Sequence, residues 1–486
     1  MFFKKTLLYI TILSMVLTNV FTTTFAQPET TTVQTTETTS ETTTAQINSP
    51  GGQTLNINAE ACILIDAESG IILYEKNAHE KLYPASITKI MTTLLACENG
   101  NMSDTVTHSH NAVFNIGPGS SHIGMDEGEQ VGFEDALYGI LLESANEVCM
   151  AVAEHIDGTV EKFVERMNSR AKELGCEDTN FANPHGFHDP EHYTTCYDMS
   201  LITKAAVHNE EFLKVFSTVD HDIPPTNKNT TRYLHNKDKM MRPTSPYYYE
   251  YIIGGKTGFH DQALNTLVTY AGKDDIKLIS VVMKDNGAPL TYSDTVTLMD
   301  YGFSLYENKT LVSSSDYTAE IPVVQHYKDK TYDLGTVSLK AADNYSAKVP
   351  NFIDSANITL KPQLDEYLQA PVEVGSKAGT LDIYSGDYKI GSTDIVAATG
   401  VDAVPQSELE HQEKIENLKK LAIKCAKIGG IVIAAVLIII LALKLFFAIQ
   451  HKRIRRRRKV YSYSGKYKSM PKNRSRKKVK YKFKIK

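Results

Sequence analysis

The chain has 486 residues, 42% of them hydrophobic, and a formal charge of −5 from 52 basic and 57 acidic residues. That near-balance hides a split, because residues 451–486 hold 18 Lys and Arg and no acid, leaving 34 basic against 57 acidic residues, about −23, for everything before them. Only the tail therefore has the charge to meet a polyanion, and the five scattered cysteines of the acidic body (Cys62, Cys97, Cys149, Cys176, Cys196), odd in number and without a C-x-x-C pair, exclude a zinc framework and a complete set of disulfides.

Residues 1–26 place Lys4 and Lys5 before an apolar run from Leu7 to about Val20 and end in Thr24-Phe25-Ala26. This is the pattern of a cleavable secretory signal, too short to span a bilayer comfortably, and it predicts an exported mature chain. Residues 27–57 are Thr-rich and free of aromatics, so they cannot bury enough apolar surface to offset ordering entropy and are expected to form a disordered linker.

Order is expected from residue 58. "ACILIDAESGIILYEKN" reads as two β-rich runs around a Glu-Ser-Gly turn, a hairpin. "ITKIMTTLLACEN", "FEDALYGILLESANEVCMAVAEHI" and "TVEKFVERMNSRAKELG" carry apolar residues three or four apart, the helical period. "LNTLVTYAGKDDIKLISVVMKD" returns to strands, joined by a polar Gly-containing turn. Strands at both ends with helices between them predict an α/β layer on an antiparallel sheet over residues 58–308.

Residues 309–404 change to short alternating strands punctuated by Gly, Pro, Asn and Asp, a small all-β domain. Residues 405–427 space Leu409, Ile415, Leu418 and Leu421 as an amphipathic stalk helix. Residues 428–450 form an apolar transmembrane stretch in which only Lys444 is charged, near enough to one end to snorkel. The basic tail, 451–486, should stay in the cytoplasm, which places the body outside a single-pass cell-membrane anchor. Tyr463, Tyr467 and Tyr481 interleave with the tail cations, but attraction to anionic lipid accounts for the same residues more simply than nucleic acid does.

Three segments carry the chemistry. In "PASITKIMTTLL", Ser86 and Lys89 are three apart and share one helix face, with the hydroxyl among unpaired backbone N–H groups. Ser-x-x-Lys alone is common. "LLESANEV" adds Ser144 and Asn146, and "YIIGGKTGFH" adds Lys256, Thr257 and Gly258 at a strand entrance, so that S-x-x-K, S-x-N and K-T-G occur in order, the signature of penicillin-recognising serine enzymes. A serine hydroxyl needs a base, and Lys89 can serve only as a neutral amine, a form favoured by burial and by a second cation such as Lys256 nearby.

The text around these motifs, including "YPASITKIMTTLLACEN", "FVERMNSRAKELGCEDTNFANPHGF" and "HYTTCYDMSLI", resembles the D-alanyl-D-alanine carboxypeptidases, low-molecular-weight penicillin-binding proteins that trim peptidoglycan stem peptides. The resemblance covers residues 58–305 closely and extends weakly over the β domain, where "LQAPVEVGSKAGTLDIY" looks like the family's C-terminal domain. It implies an α/β (α+β) penicillin-binding-protein/β-lactamase-like transpeptidase fold with an antiparallel sheet and a helical subdomain, followed by the small all-β domain and the C-terminal membrane helix. It also implies peptidoglycan stem peptides as substrates, β-lactams as covalent inhibitors, and no metal or cofactor.

By the same resemblance, Ser86 is the nucleophile, Lys89 the general base, Ser144 a proton relay and Asn146 an orienting group. Lys256, Thr257 and Gly258 receive the substrate, and the backbone N–H groups of Ser86 and Phe259 form the oxyanion hole, each such donor being worth about 3 to 4 kcal/mol. Lys237, with Arg242 as its rival, corresponds to a cation that assists carboxylate binding in some relatives. Ile253-Gly254-Gly255, His260 and Leu264 depart from the usual family residues and bear on substrate preference. His185, His188 and His192, beside Asp189 and Glu191, could suggest a metal, but their loop-like segment and the metal-free family favour structural or solvent-facing imidazoles.

Two other readings share parts of this sequence. A class A β-lactamase carries the same three motifs plus a Glu-x-x-x-Asn loop, which does not occur between Ser144 and Lys256. A non-catalytic cell-wall-binding scaffold would keep the fold but has no need of complete motifs.

Overall fold

The computed structural model describes residues 45–460. The expected signal, most of the Thr-rich linker and the tail beyond residue 460 lie outside the described residues.

The sheet at the centre of the catalytic domain has six strands in the order Ile47–Asn48, Ile72–Lys76, Ala61–Asp66, Ile276–Asp285, Leu264–Lys273, Ile252–His260, every neighbouring pair antiparallel. Both faces are covered, which is why Ala61–Asp66 is nearly all apolar. Ala61, Ile63 and Ile65 enter one core with Ile90, Leu94, Leu137, Val148, Phe163 and Met199 from the helical subdomain. Cys62 and Leu64 enter a second core with Leu298 and Met299 of helix Ala288–Ser304. The alternation is the two-residue period of a strand.

Three expectations shift. Order begins before residue 58, since Ile47 and Asn48 pair with Lys76 and Glu75, and Leu55 and Ile57 pack into the second core. The edge strand Ile72–Lys76 leaves backbone groups open for one more strand, and Ile47–Asn48 supplies it. The apolar run around Ser144 is two helices, Phe133–Leu142 and Asn146–Asp157, because Ser144 takes φ +63° and ends the first. The turn between the last two long strands is Asp274-Asp275, both at positive φ, rather than the glycine, which lies inside a strand.

Strand Tyr306–Val312, which runs across the expected start of the β domain at residue 309, pairs with Tyr345–Pro350. A second sheet of six strands encloses Ile321, Val323, Val337, Leu339, Leu381 and Ile395. Leu311, Val349 and Ile383 join the second core of the catalytic domain, and the Tyr306 hydroxyl donates to Asp66 at 2.5 Å, so the two domains share an apolar joint.

The expected stalk, membrane span and start of the tail are one helix, Gln406–Val460. Among the described residues it is the one helix long and apolar enough to cross a membrane. Leu409 is buried, whereas Ile415, Leu418 and Leu421 are exposed.

Candidate active site

The nucleophile candidate sits on a 3₁₀ turn, Ala85–Thr88, leading into helix Lys89–Asn99. Ala85 is forced to φ +50°, a conformation non-glycine residues adopt at a cost and that clusters at functional sites. The turn is braced from two sides: Thr88 Oγ1 donates to the Ala85 carbonyl at 2.8 Å, and Thr266 Oγ1 donates to the Pro84 carbonyl at 2.9 Å.

Lys89 is fully buried, and its ammonium nitrogen gathers the site. Nζ lies 3.2 Å from Ser86 Oγ, 2.7 Å from Asn146 Oδ1 and 2.6 Å from the His185 carbonyl. All three partners are neutral. Burial, with Lys237 adding repulsion, lowers its pKa to about 8, so a useful fraction is the free amine near neutrality. The cation felt most by Lys89 is thus Lys237, while Lys256 is itself held well below its ordinary value by burial and then by Lys89 and Lys237.

Asn146 opens helix Asn146–Asp157, and its backbone N–H donates to the Ser121 carbonyl at 2.8 Å, tying the helix to the loop over the cleft. Ser144, two residues earlier, is buried, and its hydroxyl makes no hydrogen bond to the protein. The break between the helices aims this side chain into the cleft, where it lines the wall together with Ser86.

The opposite wall is strand Ile252–His260. Lys256 is 1% exposed, and Nζ donates to the Thr257 carbonyl at 2.8 Å. A Cβ on Gly258 would lie 2.8 Å from the Ser86 backbone nitrogen and 2.4 Å from Thr266 Oγ1, so only glycine lets the strand approach the turn this closely. Phe259 is 62% exposed at the rim.

These walls bound a cleft of about 350 Å³ lined by Ser86, Ser144, Lys237, Thr257, Gly258 and Phe259 among others. Lys237 reaches it from the far end, with Nζ 2.5 Å from the Glu143 carbonyl. Arg242, its rival, instead bonds Asp220 at 2.7 Å and does not line the cleft. A second groove of about 390 Å³ lies between the catalytic and β domains, remote from these groups.

The three histidines of residues 185–192 have different surroundings. His192 Nδ1 accepts from the Ala182 N–H at 3.0 Å, which leaves Nε2 to donate to Thr88 Oγ1 at 2.8 Å. Burial lowers its pKa to about 3, and it stays neutral. His185 contributes its carbonyl to Lys89. His188 stacks edge-on against Tyr83 and faces His260 at 5.2 Å. Sequence reasoning could not find the His185 carbonyl, a backbone group, nor Thr266 and Ser121, which belong to no motif.

Family models match residues 43–287 as D-alanyl-D-alanine carboxypeptidase and residues 306–403 as the C-terminal domain of penicillin-binding protein 5. The chain is 31% identical over 345 residues to the D-alanyl-D-alanine carboxypeptidase DacF of Bacillus subtilis, spanning 70% of this chain and 85% of that protein. Among solved structures it is similar to penicillin binding protein 5 of Haemophilus influenzae, with 29% identity, 72% of this chain and 99% of that one covered, and a TM-score of 0.53. It is also similar to PBP3 of Streptococcus pneumoniae, a peptidoglycan synthesis regulatory factor, with 25% identity, 72% and 100% coverage, and a TM-score of 0.57.

Proposed function

Because the chain belongs to the D-alanyl-D-alanine carboxypeptidase family, we propose that its removal of the terminal D-alanine from peptidoglycan stem pentapeptides runs through an acyl-enzyme on Ser86. The observation that carries this reading is the 3.2 Å contact between Lys89 Nζ and Ser86 Oγ, at an amine whose other partners are neutral. Lys89 takes the Ser86 proton as the oxygen attacks the carbonyl of the penultimate D-alanine. The oxyanion forms between the Ser86 and Phe259 backbone N–H groups. Ser144, whose hydroxyl has no protein partner, passes a proton to the departing amine, and D-alanine leaves. Water then cleaves the ester.

Lys256, Thr257 and Lys237 select a free C-terminal carboxylate. Asn146 holds Lys89 in reach of the serine through its side-chain oxygen. β-Lactams carry a carboxylate and a strained amide in the same relation and acylate the same oxygen.

The body is placed on the outer face of the cell membrane, anchored by helix Gln406–Val460, with the basic tail against anionic lipid inside. This placement is supported by the signal-like first 26 residues, the apolar helix and the 18 tail cations. The catalytic part is assigned to residues 58–308 and the β domain to 309–404.

The test is D-alanine release from a pentapeptide together with fluorescent-penicillin labelling, wild type beside Ser86→Ala. Both signals should disappear in the variant, and an active Ser86→Ala protein would defeat the assignment. Rapid turnover of penicillin, in place of a lasting adduct, would point to β-lactamase action instead.

A further inference from the structure

The acylation proposed above needs the Ser86 backbone N–H, and not only the Ser86 hydroxyl, to face the reacting carbonyl. That N–H belongs to the same planar peptide unit as the Ala85 carbonyl, and in a trans unit the two point in opposite directions. Whatever fixes the Ala85 oxygen therefore aims the Ser86 N–H.

Two groups hold that oxygen. Thr88 Oγ1 donates to it at 2.8 Å. Gly186, at φ +80°, lies so close that an added Cβ would stand 1.9 Å from the oxygen and 2.8 Å from Thr88 Oγ1. On the other side of the peptide unit, the Ser86 nitrogen faces Gly258, where an added Cβ would be 2.8 Å away. The oxygen is thus turned toward the loop 182–192, and the nitrogen toward strand Ile252–His260, which carries Phe259.

The hydroxyl that holds the oxygen is itself held. Having given its one proton to Ala85, Thr88 Oγ1 can only accept from His192 Nε2, 2.8 Å away. His192 Nδ1 is then the bare nitrogen, and it takes the Ala182 N–H at 3.0 Å. One neutral tautomer satisfies all three bonds, whereas a protonated ring would set two donors against each other at Ala182. Thr88 and His192 are both buried, so bulk water competes for neither. Ala85, strained at φ +50°, keeps its conformation only where its surroundings over-determine it, and this chain of bonds does so.

We infer that Thr88 and His192 are positioning residues for the oxyanion hole: a directed chain of hydrogen bonds, from the Ala182 N–H through the His192 ring and the Thr88 hydroxyl to the Ala85 carbonyl, sets the Ala85–Ser86 peptide plane and points the Ser86 N–H at the substrate's carbonyl oxygen. The inference rests on the acyl-enzyme proposed on Ser86. Neither side chain lines the cleft, so both act through the backbone between them and the substrate.

The test is Thr88→Val, which keeps the shape of the side chain and removes only the hydroxyl. The rate of acylation by benzylpenicillin should fall about 10-fold to 100-fold, less than the full effect of deleting such a donor, because the N–H is misaimed and not lost. Affinity for a boronic acid analogue of D-alanine, whose tetrahedral adduct on Ser86 places an oxygen in the same hole, should fall by a similar factor. The preference for benzylpenicillin over its methyl ester should hold, since the carboxylate-binding wall is untouched. Thr88→Ser, which keeps the hydroxyl, should regain most of the loss, and His192→Leu should reproduce it.

A lowered unfolding temperature with acylation and boronic acid affinity unchanged overturns the inference. So does slower acylation with boronic acid affinity unchanged, since the hole is then intact, or a Thr88→Ser protein as slow as Thr88→Val. A changed ester preference places the fault at the carboxylate wall and overturns it equally. If Thr88→Val does not fold, His192→Leu is read in its place, and failure of both to fold counts against the inference, because the chain of bonds then serves the fold. No D-alanine release by wild type sinks the proposed function, whereas an active wild type with an indifferent Thr88→Val sinks this inference alone.

Discussion

At the scale of single residues, the site depends on keeping an amine neutral where amines are usually charged. With the Lys89 pKa near 8, acylation by penicillin should climb as pH rises through about 8, where the base form fills. The same shift costs stability. The folded state binds fewer protons than the unfolded one between about 8 and the ordinary lysine value, so unfolding free energy should rise with pH across that window. Below it the full cost, about 3 kcal/mol, is present. Denaturant melts of wild type and Lys89→Met as a function of pH check this, since the variant should lose that part of the slope.

Gly258 is tested by the opposite kind of change. Gly258→Ala drives a methyl against the Ser86 and Pro84 backbone, atoms that cannot swing aside, and should cost about 1 to 3 kcal/mol. Penicillin labelling should fall with it.

At the scale of elements, the break between Phe133–Leu142 and Asn146–Asp157 places the side chains proposed as relay and orienting group, Ser144 and Asn146, within three residues. Ser144 pays for its left-handed conformation, which glycine adopts without strain. Ser144→Gly should therefore leave the unfolding free energy within about 1 kcal/mol, strain relief offsetting added chain entropy. D-alanine release should nonetheless drop about 100-fold through loss of the relay.

The loop carrying Gly119 and Ser121 over the cleft hangs on another element. Arg232 donates to the Ile123 and Gly124 carbonyls and pairs with the fully buried Glu129 at 2.7 Å. Removing one partner of such a pair costs about 3 to 5 kcal/mol. Arg232→Met should lower the unfolding temperature and raise KM together, which a pentapeptide assay beside a thermal melt will show.

At the scale of the whole molecule, the helix Gln406–Val460 is clamped to the β domain where it leaves it. Tyr327 and Lys328 meet Glu410 and Glu413, Lys330 meets Glu416, and Gln325 exchanges hydrogen bonds with the Val404 backbone. Each exposed ion pair is weak alone, so the clamp works through its number and through the burial of Leu409 at the start of the helix. Reversing Lys328 and Lys330 to Glu together should open the segment around Val404 to proteolysis while leaving penicillin labelling of the body unchanged.

Much of this was legible in the chain. The period-two strand Ala61–Asp66, the helical stripes, the three ordered motifs and the charge split before and after the long apolar helix are local patterns, readable because side-chain direction repeats with the backbone. What folding alone decided involves groups far apart in sequence: Lys89 meets Asn146 57 positions away and the His185 carbonyl 96 away, and Thr266 braces Pro84 across 182. The reach of Lys237, and not Arg242, into the cleft, the left-handed Ser144 and the unbonded Asp238 oxygen have no local signature, because burial and the fields of distant charges exist only once the chain has closed around them.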